Sequence, residues 1–133
     1  MFRRFIPAVL LASLAACGGV VDPSKNQTQT FSGTVAVGIG SSGPLHTFTV
    51  SKGGEISAVV TSFTPTLPSG TLFEVIYGRM ISGQCSPLSV NQFAVVGATV
   101  VSGAIIPGAY CIAIVDEGFF KVNEDYALQV SHP

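Results

Sequence analysis

Apolar side chains recur at every second position along most of this chain, in short runs separated by clusters of Gly, Pro, Ser and Thr, a period that predicts strands and not helices. Residues 30–39 form the first such run, with Phe31, Val35, Val37 and Ile39 on one face and Gly33 as its weak point. Gly40-Ser41-Ser42-Gly43-Pro44 ends it. Residues 45–51 put His46, Phe48 and Val50 on one side, and residues 55–63 do the same with Ile56, Ala58 and Val60. With Lys52-Gly53-Gly54 between them, the two read as a hairpin.

After a proline-rich loop at 64–70, residues 71–79 place Phe73, Val75 and Tyr77 on one face, with Glu74 between Leu72 and Ile76 on the other. Residues 83–91, with Cys85 and Pro87, read as a loop. Strands then follow at 93–96 and 98–106. The second is the most apolar stretch beyond the N-terminal region, which predicts a strand buried on both faces or an edge needing protection. Pro107-Gly108 turns the chain into a strand at 110–115, a polar loop spans 116–125, and a last strand at 126–130 points Tyr126, Leu128 and Val130 inward.

The N-terminal residues follow a different rule. Arg3 and Arg4 precede an apolar run from Phe5 to Ala16, the layout of a secretory signal and too short to span a bilayer as a helix. Leu14-Ala15-Ala16-Cys17-Gly18 resembles the lipobox of bacterial lipoproteins. That resemblance implies removal of residues 1–16 as a signal peptide and acylation of Cys17. The lipid would anchor the protein to the membrane, since two or more acyl chains hold stably where one does not. Gly18 after the cysteine, by the same resemblance, favours the outer membrane. Residues 17–29 are polar and rich in breakers, and read as a flexible lipidated tether to a domain at 30–133.

Composition fits export to the cell envelope. Charged residues make up only 10% of the chain, well below the quarter or so of an ordinary soluble domain. Beyond residue 16, Lys25, Lys52, Arg79 and Lys121 face seven acidic residues, leaving no basic patch and arguing against nucleic acid as a partner. Of three cysteines, the lipid would occupy Cys17, which leaves Cys85 and Cys111 as a disulfide in an oxidising compartment. The alternative is two separate buried thiols.

Taken together, these signals predict an all-β chain, a jelly-roll-like antiparallel β-sandwich of about seven to nine short strands after the signal peptide. The order of Phe48-Thr49-Val50, a Gly-Gly turn, an alternating strand, Pro107 to Ile114 as Pro-Gly-x-Tyr-x-Ile-x-Ile, and a closing Asp125-Tyr-x-Leu-x-Val130 is similar to bacterial pre-peptidase C-terminal domains. That family implies a jelly-roll-like sandwich serving as an accessory or binding module without catalysis of its own. Here no protease domain precedes it, and Leu45-His46-Thr47 departs from the family's usual strand start.

Candidate chemistry is sparse. His46 and His132 are the only acid/base groups that titrate near neutrality, and no nucleophile motif, phosphate-cradling loop or zinc spacing accompanies them. His46 reads as a structural histidine, and His132 as part of a mobile terminus. Asp116, Glu117, Asn123, Glu124 and Asp125 match no calcium-loop spacing and read as a solvated acidic hairpin, so no metal or cofactor is expected. Phe119 and Phe120 are adjacent and point opposite ways. Either one contacts a ligand, or one caps the sandwich while the other covers backbone. The expected function is a non-catalytic envelope lipoprotein that binds an unidentified protein or glycan. The alternative is a structural subunit of an envelope assembly, using the apolar stretch from Phe93 to Ile106 as a partner edge.

Overall fold

A computed structural model describes residues 22–133. Cys17, the signal segment and the first part of the tether lie outside the described residues. Eight strands, β1 (Gln27–Val35), β2 (His46–Val50), β3 (Gly54–Thr64), β4 (Phe73–Ile81), β5 (Gln84–Ala94), β6 (Thr99–Ile105), β7 (Gly108–Val115) and β8 (Glu124–His132), form two four-stranded sheets. One sheet has the order β1-β8-β3-β6 and the other β2-β7-β4-β5, with every pairing antiparallel. This is the double-sheet strand order of a jelly roll.

The inward faces follow the expected alternation. Phe48 and Val50, Ile56, Ala58 and Val60, Phe73, Val75 and Tyr77, and Tyr126, Leu128 and Val130 are all buried in one core between the sheets. Aromatic rings fill its middle: Tyr110 stacks on Tyr77 and on Phe48, each at 5.8 Å between centroids.

Several boundaries differ from expectation. β1 begins at Gln27 and ends at Val35, so Val37 and Ile39 belong to a loop and are exposed. The supposed tether is ordered from Asp22. Asp22 caps a short 3-10 turn (Pro23–Lys25), and Asn26 donates its side-chain amide to the Glu55 carbonyl at 2.9 Å and to Ser131 Oγ at 3.3 Å. β8 runs on to His132, which is fully buried: it stacks on Phe48 at 5.0 Å, and its Nε2 is hydrogen-bonded to Gln29 Oε1 at 2.9 Å. Pairing of Gln27 with His132 immobilises the terminus that sequence position alone marked as mobile.

β2 and β3 are not a hairpin. The chain crosses between sheets at 51–53, so their apolar faces meet across the core instead of lying side by side. Among the described residues the single hairpin of consecutive strands is β4–β5. Ser82 (φ 51°) and Gly83 (φ 77°) both take the positive angles that a tight turn of matching twist requires. The residues expected to form a loop at 83–91 are therefore mostly strand, and Pro87 is tolerated because β5 lies at a sheet edge. The strand buried on both faces is β7, whereas the apolar β6 is an edge with Ser102, Gly103 and Ala104 exposed.

Cys85 and Cys111 are disulfide-bonded, with Cα atoms 5.9 Å apart. They sit on β5 and β7, which are separated in the sheet by β4, and the residue of β4 beside Cys111 is Gly78. A Cβ at Gly78 would overlap the carbonyl oxygen of Ser86. Absence of a side chain there lets the start of β5 lean across β4, aided by a register shift between Tyr77 and Gly78. Gly78→Ala is expected to destabilise the fold by about 2 kcal/mol or more, as overpacking against fixed backbone does. The double variant Cys85→Ala/Cys111→Ala should lose about 3 kcal/mol in the chain-entropy account. Urea unfolding of both variants checks the pair.

Candidate functional site

The two ends of the sandwich are unlike. Connections 51–53, 82–83 and 106–107 are tight turns at one end, the base, where Gln27 and His132 also lie. Connections 36–45, 65–72, 95–98 and 116–123 gather at the opposite end, the tip. Long loops on a rigid scaffold are where binding residues usually sit.

Asp116 holds the tip together. Its carboxylate is fully buried. Oδ1 accepts from the backbone amides of Gly118, Phe119 and Phe120 at 2.8, 3.0 and 3.1 Å, and Oδ2 accepts from Gly38 at 2.9 Å. Its own amide donates to the Ser41 carbonyl at 2.9 Å, and its carbonyl accepts from Gly40 at 2.7 Å. Burial alone would push this carboxyl up, but the amides of Gly38, Phe120, Gly118 and Phe119 outweigh it and hold the group below the ordinary carboxylate value. One side chain thereby fastens loop 36–45 to loop 116–123, and Asn123 adds a bond from the Val37 amide to its Oδ1 at 3.0 Å.

These loops present apolar side chains outward. Ile39 is 82% exposed and lies over Gly118, Phe119 is 52% exposed, and Val37 and Val122 are about half exposed. Phe120 points the other way and packs edge-on against Phe63 at 5.3 Å, buried in the core. Of the two candidate contact residues, Phe119 is available and Phe120 is not, because adjacent residues here face opposite sides. Beside the patch, Glu117 shares a hydrogen bond with Glu74 that pushes the Glu117 carboxyl up, with burial and the charges of Glu74 and Asp116 adding to the shift. Gln92 Nε2 donates to Glu74 at 3.1 Å, and its neighbour Phe93 is 78% exposed. A cleft of about 520 Å³ opens at the same end, lined by Phe63, Leu67, Pro68, Thr71, Val95 and Val96 among others.

The acidic hairpin is thus only partly solvated. Asp116 and Glu124 are both buried. Burial, helped by Asp125, pushes the Glu124 carboxyl up, and its Oε2 has no hydrogen-bond partner. Among the described residues no group of three or more His, Cys, Asp or Glu side chains is placed to hold a metal ion. His46 is half-buried, stacked on Phe31 at 4.9 Å and hydrogen-bonded through Nε2 to the Tyr126 hydroxyl at 2.6 Å. Burial lowers its pKa, and burial pushes Tyr126 up to about 12, so the pair stays neutral at ordinary pH. Gly33 and Gly43 leave the room that the Tyr126 ring occupies. Ser41 accepts from the Asp116 amide through its carbonyl, and Ser42 Oγ donates to the Gly43 carbonyl at 3.0 Å, so both serve the loop itself.

Asp116 is the functional-end residue that periodicity does not reveal. Its one signal is local: an Asp two residues before Gly118 is a common start for a side-chain-closed turn. Comparison of the chain with models of known protein families, with curated proteins and with solved structures finds no match. The class the fold defines is architectural, a disulfide-linked jelly roll whose apolar, acidic loop tip lies opposite the end at which β1 begins.

The buried carboxyls give opposite pH signatures. Asp116, depressed in the folded state, stabilises above its unfolded pKa, and that stabilisation is lost as pH falls through the folded value. Glu124, raised in the folded state, favours folding below its unfolded pKa, and that contribution is lost as pH rises through the raised value. Glu124→Gln should therefore raise the melting temperature at neutral pH, by about 1 kcal/mol of stability, with the gain vanishing on acidification. Asp116→Ala should cost about 3 kcal/mol at neutral pH because four amides lose their acceptor, and the cost should shrink in acid. Thermal melts between mildly acidic and neutral pH test both signs.

Proposed function

We propose that this chain is a lipid-anchored, non-catalytic binding or adhesion module of the bacterial cell envelope, which meets a protein or glycan ligand with its loop tip. The single observation that carries the reading is the opposition of the two ends. The described chain enters at the base, so an acylated Cys17 would place the base toward the membrane and the tip away from it. The four residues between Cys17 and Asp22 leave a reach of less than about 20 Å even when extended, which keeps the base near the lipid surface.

The chemistry of the tip supports contact and not turnover. Ile39, Phe119 and Phe93 are exposed apolar groups next to hydrogen-bonding side chains, a mixture suited to stacking on a sugar ring or packing on a protein. Both histidines are committed to aromatic stacking and internal hydrogen bonds, which leaves no poised acid/base pair. The outer membrane is favoured by Gly18 after the lipidated position. A structural role in an envelope assembly is the second reading, favoured by the uncharged flank formed by β5 and β6.

Mass spectrometry of protein purified from membranes should show a chain beginning at Cys17 with acyl mass. Retention of Met1, or an unmodified cysteine, would sink the anchor. Pull-down on insoluble peptidoglycan, polysaccharide and collagen-like peptide should retain the native protein on at least one of these matrices. Ile39→Ser/Phe119→Ser should abolish retention while leaving the melting temperature within about 0.5 kcal/mol of native stability, as surface changes do. Equal retention of both proteins removes the tip as the contact.

A further inference from the structure

The inward row of β4 runs Phe73, Val75, Tyr77 and then Arg79, so the face that enters the core ends in a guanidinium toward the base. Its place is built. Arg79 lies over the Tyr110 ring at 5.5 Å, and its Nη2 donates to the Pro107 carbonyl at 3.2 Å. A Cβ at Gly108 would come within 2.5 Å of that nitrogen, so the missing side chain leaves the room that the guanidinium fills. Tyr110 is fixed in turn by its hydroxyl, which donates to the Ile106 carbonyl at 2.6 Å. The other two base cations lie elsewhere, Lys25 ahead of β1 and Lys52 in the crossover from β2 to β3.

Arg79 lines a cleft of about 350 Å³ beside the edge strands β5 and β6, near the lower end of the size range of small-ligand sites. Neither strand carries a charged residue. Besides Arg79, the polar side chains of the lining are the hydroxyls of Tyr77, Ser89 and Ser102, and none of the described lining residues is acidic. Burial, helped by Tyr110, pushes the Tyr77 phenol up to about 12 against the opposing pull of Arg79, so it keeps its proton and can donate. Leu88, Val101 and Ile106 supply apolar wall. Tyr77 pairs with Ser89 and Gly78 with Pro87, which leaves Leu88 as the extra residue of a bulge, a device that re-aims side chains at sheet edges.

We propose that this cleft binds a small monocarboxylate with an apolar body, its carboxylate on Arg79 and its body against Leu88, Val101 and Ile106. Three observations carry the ligand class. The first is an uncompensated cation: Arg79 forms no ion pair with any carboxylate among the described residues, and Glu74, Asp116, Glu117, Glu124 and Asp125 all belong to the tip. The second is the number and shape of the donors. One guanidinium balances one negative charge, and after the Pro107 bond Nη1 and the second Nη2 hydrogen remain, a planar pair that matches the two oxygens of a carboxylate. A phosphate would bring more charge than this lining balances. The third is the apolar wall, which gives a bare inorganic anion nothing to bury. A free acid and the C-terminal residue of a peptide share this chemistry. The site is separate from the tip and needs no lipid anchor.

Nitrogen–proton correlation spectra of the full chain, titrated with hexanoate, N-acetylleucine and the amide of each, test the site. At least one acid should shift the amides around Arg79, Leu88 and Ser102 saturably, and its amide should bind about tenfold more weakly or worse, because the charge-assisted bonds are lost. The tighter acid names the source, a free acid for hexanoate and a chain end for N-acetylleucine. Arg79→Gln should raise the dissociation constant of that acid by about tenfold or more. Since Arg79 also covers Tyr110, a second variant removes any doubt about folding: Leu88→Glu, at an exposed position, should weaken binding by a similar factor through like-charge repulsion and leave the melting temperature unchanged. Ile39→Ser/Phe119→Ser at the tip should leave the dissociation constant unchanged. Absence of a saturable shift with either acid overturns the proposal, as does equal affinity for acid and amide, tighter binding of hexyl phosphate, or affinity that survives both Arg79→Gln and Leu88→Glu.

Discussion

Strand β7 carries no polar side chain from Cys111 to Val115, and all of these residues are buried although they alternate between two faces. Ile112 and Ile114 enter the core, while Cys111, Ala113 and Val115 are covered on the outer side of the sheet. A strand in this position can be neither shifted by one residue nor detached without exposing an apolar row to water. Its two ends then hold the rest of the molecule: Cys111 ties β5 across Gly78, and Asp116, the next residue after the strand, gathers the amides of two loops. The covalent link and the buried carboxylate both start from a strand that is buried on both faces.

The same economy of charge shapes the outside. With only 10% charged residues, the domain has too few ionic groups to cover its sides, and it places them at the ends. Core alternation uses the inward positions of each strand, so the outer surface of the sides is left to Thr, Ser, Gln and small apolar residues. Two surfaces follow from this distribution. The tip combines apolar loops with carboxylates, and the cleft beside β5 and β6 combines an apolar wall with one arginine. They suit different partners, because an acidic loop surface selects by charge and shape, whereas a donor-lined cleft selects an anion small enough to enter it.

Jelly-roll connectivity explains why some local readings fail while the pattern succeeds. The alternation at Phe48 and Val50, at Ile56 to Val60 and at Tyr126 to Val130 is local information, and it assigns the inward faces correctly. Which strand pairs with which is not local. β2 and β3 are adjacent in sequence with a Gly-Gly turn between them, yet they join different sheets, because β2 pairs with the wholly apolar β7 and β3 is taken up between β6 and β8. His132 and Glu124 look like a terminus and a loop residue in isolation. They become interior only because β8 sits between β1 and β3 along its full length.

What the amino-acid sequence determined by itself is the all-β class, most of the inward-facing positions of the strands, and the opposite orientations of Phe119 and Phe120; it offered Cys85 and Cys111 as a pair, which the structure shows bonded. All of these depend on residue type and on a period of two, which neighbours in the chain already impose. Tertiary structure alone decided which phenylalanine is exposed, that Asp116 is a clamp, and that charge separates into two ends. Those outcomes depend on which distant backbone supplies a donor or a covering strand, and that is settled only when the two sheets close on each other.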